Sequence, residues 1–142
     1  MNTAGVEIAI IWCGLGHFAI CLASLTIPKV LNWSVHLSTL HPLLRQMFWT
    51  YAGYILAINF CFGLISILGS HELVNQSFLA KATTLLIGTY WLTRIAIQFL
   101  YFDRSDAPKG ILFTLGEIAL VGLFTLFTLT YFTAFFINHG WI

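Results

Sequence analysis

Charged residues are scarce in this sequence of 142 residues: Asp, Glu, Lys and Arg make up 8% of it, against 59% for hydrophobic residues. Soluble domains carry roughly 25% charged residues, so the composition excludes an ordinary soluble fold. The mean hydropathy of +0.90 leads to the same conclusion. We therefore expect a chain embedded in the lipid bilayer, organised as a single domain over residues 1–142.

Several motif classes are also missing. The six Lys and Arg residues form no basic stripe, which excludes nucleic acid as a partner. Three cysteines within apolar segments do not make a disulfide framework. No P-loop, nucleophile elbow or zinc-protease helix occurs, and Gly14-Leu15-Gly16 lacks the strand that a dinucleotide site requires. We predict no catalytic or metal-binding residue, although an intramembrane enzyme using His17 or Glu117 as acid–base stays an open alternative.

Four long apolar runs occupy most of the chain, at residues 5–27, 47–68, 78–102 and 111–137. Each is long enough to cross a hydrocarbon core about 30 Å thick. The first run has no basic residue before Lys29, so we expect a retained span and not a signal peptide. The predicted fold is an all-α membrane protein, an antiparallel bundle of four transmembrane helices.

Basic residues are distributed unequally between the predicted loops. Lys29, Arg45, Arg104 and Lys109 fall in the first and third loops, while the opposite side has only Lys81. Because cytoplasmic loops carry the excess of Lys and Arg, we expect the first and third loops to be cytoplasmic. Both termini are then on the non-cytoplasmic side.

The first loop contains a candidate interfacial helix. Its apolar residues recur at helical spacing: Val30, Trp33, Leu37 and Leu40. This pattern predicts a short helix over residues 30–40 that lies flat at the membrane surface. Pro42 fits the first turn of an extended second span, and residues 103–110 have the composition of a tight turn.

Small residues recur every four positions in the first two spans. The row on the first span consists of Gly5, Ala9, Cys13, His17 and Cys21, and the row on the second span consists of Gly53, Ala57 and Cys61. Small residues at this spacing let helix backbones approach closely in lipid. We predict that the first two spans pack through these faces and that His17 points into the bundle.

Six polar residues lie within the spans, where an ionised side chain costs at least about 2.5–3.5 kcal/mol: His17, Tyr54, Asn59, Arg94, Gln98 and Glu117. At about 1.5 Å per residue, they form one layer in the predicted cytoplasmic half of the bilayer. Arg94 and Glu117 have opposite charges at matching depth on neighbouring spans. We predict a direct or water-bridged ion pair between them, close to His17.

The polar layer leads to three functional hypotheses. In the first, it binds a lipid-like or small polar ligand or relays protons, without enzymatic activity. In the second, the chain is an accessory or structural subunit of a larger membrane complex or homo-oligomer, with the Arg94–Glu117 pair serving assembly. The third and weaker one is a small haem or metal redox protein using His17, for which haem would need a second His17 from another copy. The cofactor is left unassigned.

Overall fold

The computed structural model describes residues 3–102 and 110–141. Within these ranges the chain is helical and forms no strand. The helices, in chain order, are α1 (Thr3–Val30), α2 (Trp33–His36), α3 (Pro42–Leu68), α4 (Phe78–Leu100) and α5 (Ile111–His139), with a short 3-10 helix at Glu72–Val74 between α3 and α4. The predicted turn at residues 103–110 lies almost entirely outside the described residues.

Within the described ranges, three segments are long and apolar enough to cross a membrane: Thr3–Val30, Pro42–Leu68 and Phe113–His139. α4 contains Lys81 and Arg94 and is not among them. The prediction of an all-helical fold is confirmed, and three of the four expected spans have the required length and composition. The outward faces of these helices carry large apolar side chains such as Trp12 and Leu129, as expected where lipid is the solvent.

The helix ends follow local chemistry. α3 begins at Pro42, as predicted, because proline lacks the N–H that the first turn leaves unpaired. α1 continues past Pro28, since a proline in the last turn removes only one hydrogen bond and Leu31 N still donates to Ile27 O at 2.9 Å. The predicted helix at residues 30–40 is shorter than expected, because left-handed Asn32 separates α1 from a four-residue α2.

The long helices pack as two pairs, α1 with α3 and α4 with α5, and contacts between α1 and α5 join the pairs. The 3-10 helix closes one end by packing against α1, α4 and α5. Asn138 ties this end together, because its Nδ2 donates to Leu73 O at 2.7 Å and its Oδ1 accepts from Gln76 N at 2.9 Å.

Glycines set the closest helix contacts. A Cβ atom added to Gly14 would lie 2.7 Å from Ile67 Cγ1 and 3.2 Å from Gly63 O, on α3. A Cβ atom on Gly16 would lie 2.8 Å from the Phe127 ring, on α5. The two glycines of Gly14-Leu15-Gly16 therefore let α3 and α5 both approach the α1 backbone.

The predicted small-residue rows are only half right. On α1, the row is buried at Cys13, His17 and Cys21, so His17 points into the bundle as predicted. On α3 the predicted close packing is wrong, because Cys61 is exposed and a Cβ atom on Gly53 would meet nothing within 4 Å. Gly53 and Ala57 nevertheless line a pocket together with Cys21 of α1. A four-residue step advances roughly 400° around a helix of 3.6 residues per turn, so such a row drifts away from a fixed neighbour.

The buried core occupies one half of the bundle. Apart from Leu37, no described residue in residues 22–58, 92–102 and 110–123 is buried, and we call this part the open half. Residues 3–21, 59–91 and 124–141 contain all the other buried side chains, and we call them the closed half. The helix pairs therefore pack tightly around one end and separate towards the end that carries α2.

The glycine contact predicts a difference between two alanine variants. Gly14→Ala should lower the free energy of unfolding by about 1–3 kcal/mol, because the added methyl group overpacks the contact with α3. Gly53→Ala is the matched control, since open space surrounds it and the loss of a helical glycine is worth about 0.5–1 kcal/mol of added stability. Thermal unfolding in mild detergent measures both, and equal effects would contradict the close approach at Gly14.

Candidate functional site

His17 lies at the centre of the closed half and is 0% exposed. Its Nδ1–H donates to Cys13 O at 2.7 Å, and its Nε2 accepts from the Trp91 indole N–H at 3.0 Å. A carbonyl oxygen can only accept and an indole N–H can only donate. The imidazole is therefore neutral, with its proton on Nδ1, and its hydrogen bond to Trp91 connects α1 to α4.

Aromatic rings surround this imidazole. Phe127 stacks on it with a centroid distance of 4.3 Å and an interplanar angle of 8°. Phe62, Trp91 and Tyr131 make edge contacts at 5.4 to 5.9 Å. Because these rings come from α3, α4 and α5, all four long helices meet at His17.

The enclosure of His17 bears on the haem and metal hypothesis. The Nε2 lone pair, which a metal would need, is taken up by Trp91. Within the part of the chain that the structure describes, no group of three His, Cys, Asp or Glu side chains is arranged to hold a metal ion. As arranged, His17 acts as an interhelical hydrogen-bonding residue.

Sequence reasoning missed the partners of His17. Tyr131 and Ser66 are fully buried and hydrogen-bond to each other between α5 and α3, while Ser66 Oγ also donates to Phe62 O at 2.6 Å. The position of Trp91 was a signal that the sequence offered, because tryptophan in membrane helices usually lies near the membrane–water interface and Trp91 lies in the middle of a predicted span. A tryptophan in the middle of a helix must instead find a buried acceptor for its N–H.

The inward face of α3 changes from buried to open at Asn59. Phe62 and Ser66 are 8% and 0% exposed, whereas Ile55, on the same face, is 55% exposed. Seven and eleven residues correspond to nearly whole numbers of helical turns, so these three side chains point in the same direction. A cleft therefore opens between α3 and the α4–α5 pair, and Asn59 lies at its inner end.

Asn59 is 3% exposed and has an incomplete set of hydrogen bonds. Its Nδ2 donates to Ile55 O at 2.8 Å and more weakly to the Tyr90 hydroxyl at 3.4 Å. Its Oδ1 has no hydrogen-bond partner among residues 3–102 and 110–141. Because an amide oxygen near Ile55 O would be repelled, the orientation of the amide is determined, and the unpaired atom is the acceptor.

Arg94 is partly buried on α4, on the open side of Trp91. Its guanidinium carbon lies 6.0 Å from the ring centre of Phe124 and 5.6 Å from that of Phe102. Among residues 3–102 and 110–141, no carboxylate oxygen comes within 4 Å of its nitrogen atoms. The guanidinium is therefore stabilised by stacking on aromatic faces.

The predicted direct Arg94–Glu117 ion pair is wrong. Glu117 Oε1 instead accepts from Gln98 Nε2 at 3.1 Å. The antiparallel register of α4 and α5 is set by Trp91 packing on Phe124 at 4.7 Å. That register places Glu117 level with Gln98, about one helical turn beyond Arg94.

The predicted polar layer separates into three groups. His17 belongs to the closed core, Asn59 lies at the inner end of the cleft, and Arg94 lies in the open half, where Gln98 and Glu117 also lie. Tyr54 does not join them, because it is 63% exposed. It points roughly 140° around α3 from Asn59.

The His17–Trp91 hydrogen bond predicts non-additive stability effects. Trp91→Phe should cost about 1–3 kcal/mol of stability beyond lost packing, because it leaves His17 Nε2 buried without a donor. The matched control is Trp12→Phe, since Trp12 is exposed. Thermal unfolding of Trp91→Phe, His17→Phe and the double variant should show a double variant less damaged than the sum of the singles. Additive losses would argue against the hydrogen bond as a source of stability.

Comparisons with known proteins add no assignment to this geometry: no family model, no curated protein and no solved structure matches the chain.

Proposed function

We propose that the chain is a multi-pass membrane protein in which α4 is the fourth crossing. The 23 residues of α4 span about 35 Å, enough for a hydrocarbon core about 30 Å thick. Lys81 lies in its first turn and can extend its ammonium group to the interface. α4 also packs along α5, which is itself of membrane length.

The orientation follows from the loop charges. The excess of basic residues before α3 and between α4 and α5 favours a cytoplasmic location for that end. An aromatic cluster at the same end supports an interfacial position for α2, since Trp33 packs on Phe48 and Trp49 at 4.8 and 5.8 Å. Both termini would then lie on the non-cytoplasmic side.

Cysteine labelling tests the fourth crossing. With four spans, Asn75→Cys and His139→Cys lie on the same side and Ser38→Cys on the other, so an impermeant maleimide added to intact cells should label the first two only. If α4 does not cross, positions 75 and 139 lie on opposite sides. The unmodified chain, whose three cysteines lie within apolar helices, is the background control. If Ser38→Cys is labelled and Asn75→Cys is protected, the orientation is opposite to the proposed one.

We further propose that the open half binds an anionic, lipid-like molecule, with Arg94 holding its charged group. The observation that carries this proposal is the placement of Arg94 in a cleft without a carboxylate within 4 Å among the described residues. A guanidinium at membrane depth needs an anion or water to offset its desolvation. Its planar N–H groups match phosphate and carboxylate oxygens.

Ligand binding is better supported than proton relay. A relay through His17 would need a group that hands a proton to Nε2 and another that takes one from Nδ1. Nε2 faces an indole N–H that cannot shuttle protons near neutral pH, and Nδ1 faces the Cys13 carbonyl. The cleft, by contrast, reaches Arg94 without passing through the closed core.

Removal of the arginine charge tests the binding proposal. Arg94→Gln should weaken binding of an anionic phospholipid by about 10–100-fold, because charge-assisted hydrogen bonds contribute about 1.5–3 kcal/mol. Arg45→Gln is the matched control, since Arg45 is exposed in the first turn of α3. Native mass spectrometry of the full chain would compare anionic and zwitterionic lipids with the same acyl chains.

Two results would count against this function. One is equal binding of anionic and zwitterionic lipids by the unmodified chain. The other is an Arg94→Gln variant that binds lipid normally but loses a co-purifying subunit or its own oligomer, which would assign Arg94 to assembly.

A further inference from the structure

A buried hydrogen-bond acceptor at the inner end of the cleft is left unused by the described residues. Asn59 Oδ1 has no partner, although the residue is 3% exposed. A buried polar atom without a partner is costly, and in native structures such an atom has an explanation, such as strain, a functional role, or a bound water or ion. The environment of Asn59 on α3 therefore favours a donor from outside the part of the chain that the structure describes.

A complementary donor lies beside it on α4. The Tyr90 hydroxyl oxygen accepts weakly from Asn59 Nδ2 at 3.4 Å. None of the hydrogen bonds formed within the described part of the chain takes up the proton of this hydroxyl. Tyr90 is held in place by its edge contact with Phe62 at 5.3 Å and is partly exposed towards the cleft. Asn59 and Tyr90 together thus offer one acceptor and one donor.

Tyr90, the member of this pair that belongs to α4, lies on the same side of that helix as Arg94. Arg94 follows Tyr90 by four positions, which places the two side chains on one helix face, about 6 Å apart along the axis. Arg94 is nearer the end of α4, and the Asn59–Tyr90 pair is nearer the centre of the bundle. A ligand with its charged group at Arg94 therefore brings its next polar group to Asn59 and Tyr90.

We propose that Asn59 and Tyr90 recognise a free hydroxyl group next to the anionic group of the bound lipid. A hydroxyl both donates and accepts, so it can donate to Asn59 Oδ1 and accept from the Tyr90 O–H. Among phosphate-bearing lipids, a lysophospholipid has a free glycerol hydroxyl between its phosphate and its acyl chain. In a diacyl phospholipid this oxygen is esterified and cannot donate. The ligand class proposed is a lipid with a free hydroxyl between its phosphate and its hydrocarbon chain, for which a single-chain lysophospholipid is the test ligand, and this inference rests on the proposed function of Arg94.

The orientation of such a lipid agrees with the cleft. Its phosphate would lie at Arg94 and its hydroxyl deeper, at Asn59 and Tyr90. The acyl chain would leave sideways between α3 and α4 at the level of the hydroxyl. The closed core around His17 ends at this level, so the chain does not need to enter it.

The test compares two ligands that differ by one hydroxyl group. The full chain in detergent is titrated with a lysophosphatidic acid carrying one oleoyl chain and with the analogue that lacks the glycerol hydroxyl, and binding is read by native mass spectrometry. The unmodified chain should bind the hydroxylated lipid about tenfold more tightly, the effect of one to two net hydrogen bonds. Tyr90→Phe and Asn59→Leu should each remove most of this preference and leave the affinity for the analogue unchanged.

Matched variants distinguish the hydroxyl site from the proposed anion-binding function of Arg94. Tyr54→Phe makes the same chemical change at a position that faces away from the cleft, so the tenfold preference should survive. Arg94→Gln should weaken both ligands equally. Tyr90→Phe keeps the ring that packs on Phe62, so the test does not depend on whether Asn59→Leu folds.

Two outcomes overturn the proposal in distinguishable ways. If the unmodified chain binds both ligands equally while Arg94→Gln weakens both, the hydroxyl site is refuted and Asn59 Oδ1 holds water only, with the function of Arg94 intact. If Arg94→Gln leaves both affinities unchanged, or neither ligand binds, the proposed function is refuted and the hydroxyl site with it.

Discussion

The hydrogen bond between the Trp91 indole and the His17 imidazole is the contact on which the arrangement of the bundle depends. An imidazole in an apolar interior has two nitrogen atoms that need partners. One is satisfied within α1 by Cys13 O, and the other only by α4. Stacking of Phe127 from α5 and the edge of Phe62 from α3 complete the contact. Moving any one helix along its axis would break it.

This contact also accounts for the unequal halves of the molecule. The closed half has a polar centre satisfied by its own residues, glycines that allow close approach on either side, and rings that fill the space between helices. In the open half a Cβ atom added to Gly53, Gly116 or Gly122 would meet nothing within 4 Å. Arg94 lies in this half and stacks on rings without a carboxylate beside it among the described residues. The boundary falls at Asn59, whose amide oxygen is unpaired. A bundle anchored at one end and separated at the other suits a lipid-facing binding cleft.

Much of the fold could be predicted from sequence, and the pairing of side chains could not. The apolar runs, the start of α3 at Pro42 and the inward direction of His17 follow from composition, proline chemistry and helical spacing. The close packing predicted for the small-residue row on α3 and the direct Arg94–Glu117 contact were wrong for a shared reason, while a water-bridged pair stays a prediction. Spacing tells which residues share a face of one helix, but not how far that helix is rotated or shifted relative to its neighbour.

The sequence by itself determined that apolar helices of membrane length form and that a few polar side chains lie where they must find partners. Those properties depend on local backbone geometry and on transfer free energy, which each segment carries alone. Only the tertiary structure decided the partners: Trp91 for His17, Gln98 for Glu117, aromatic rings for Arg94 and none for Asn59 Oδ1. Partner choice depends on register and rotation between helices, which are set by the combined packing of glycines and rings from all four long helices.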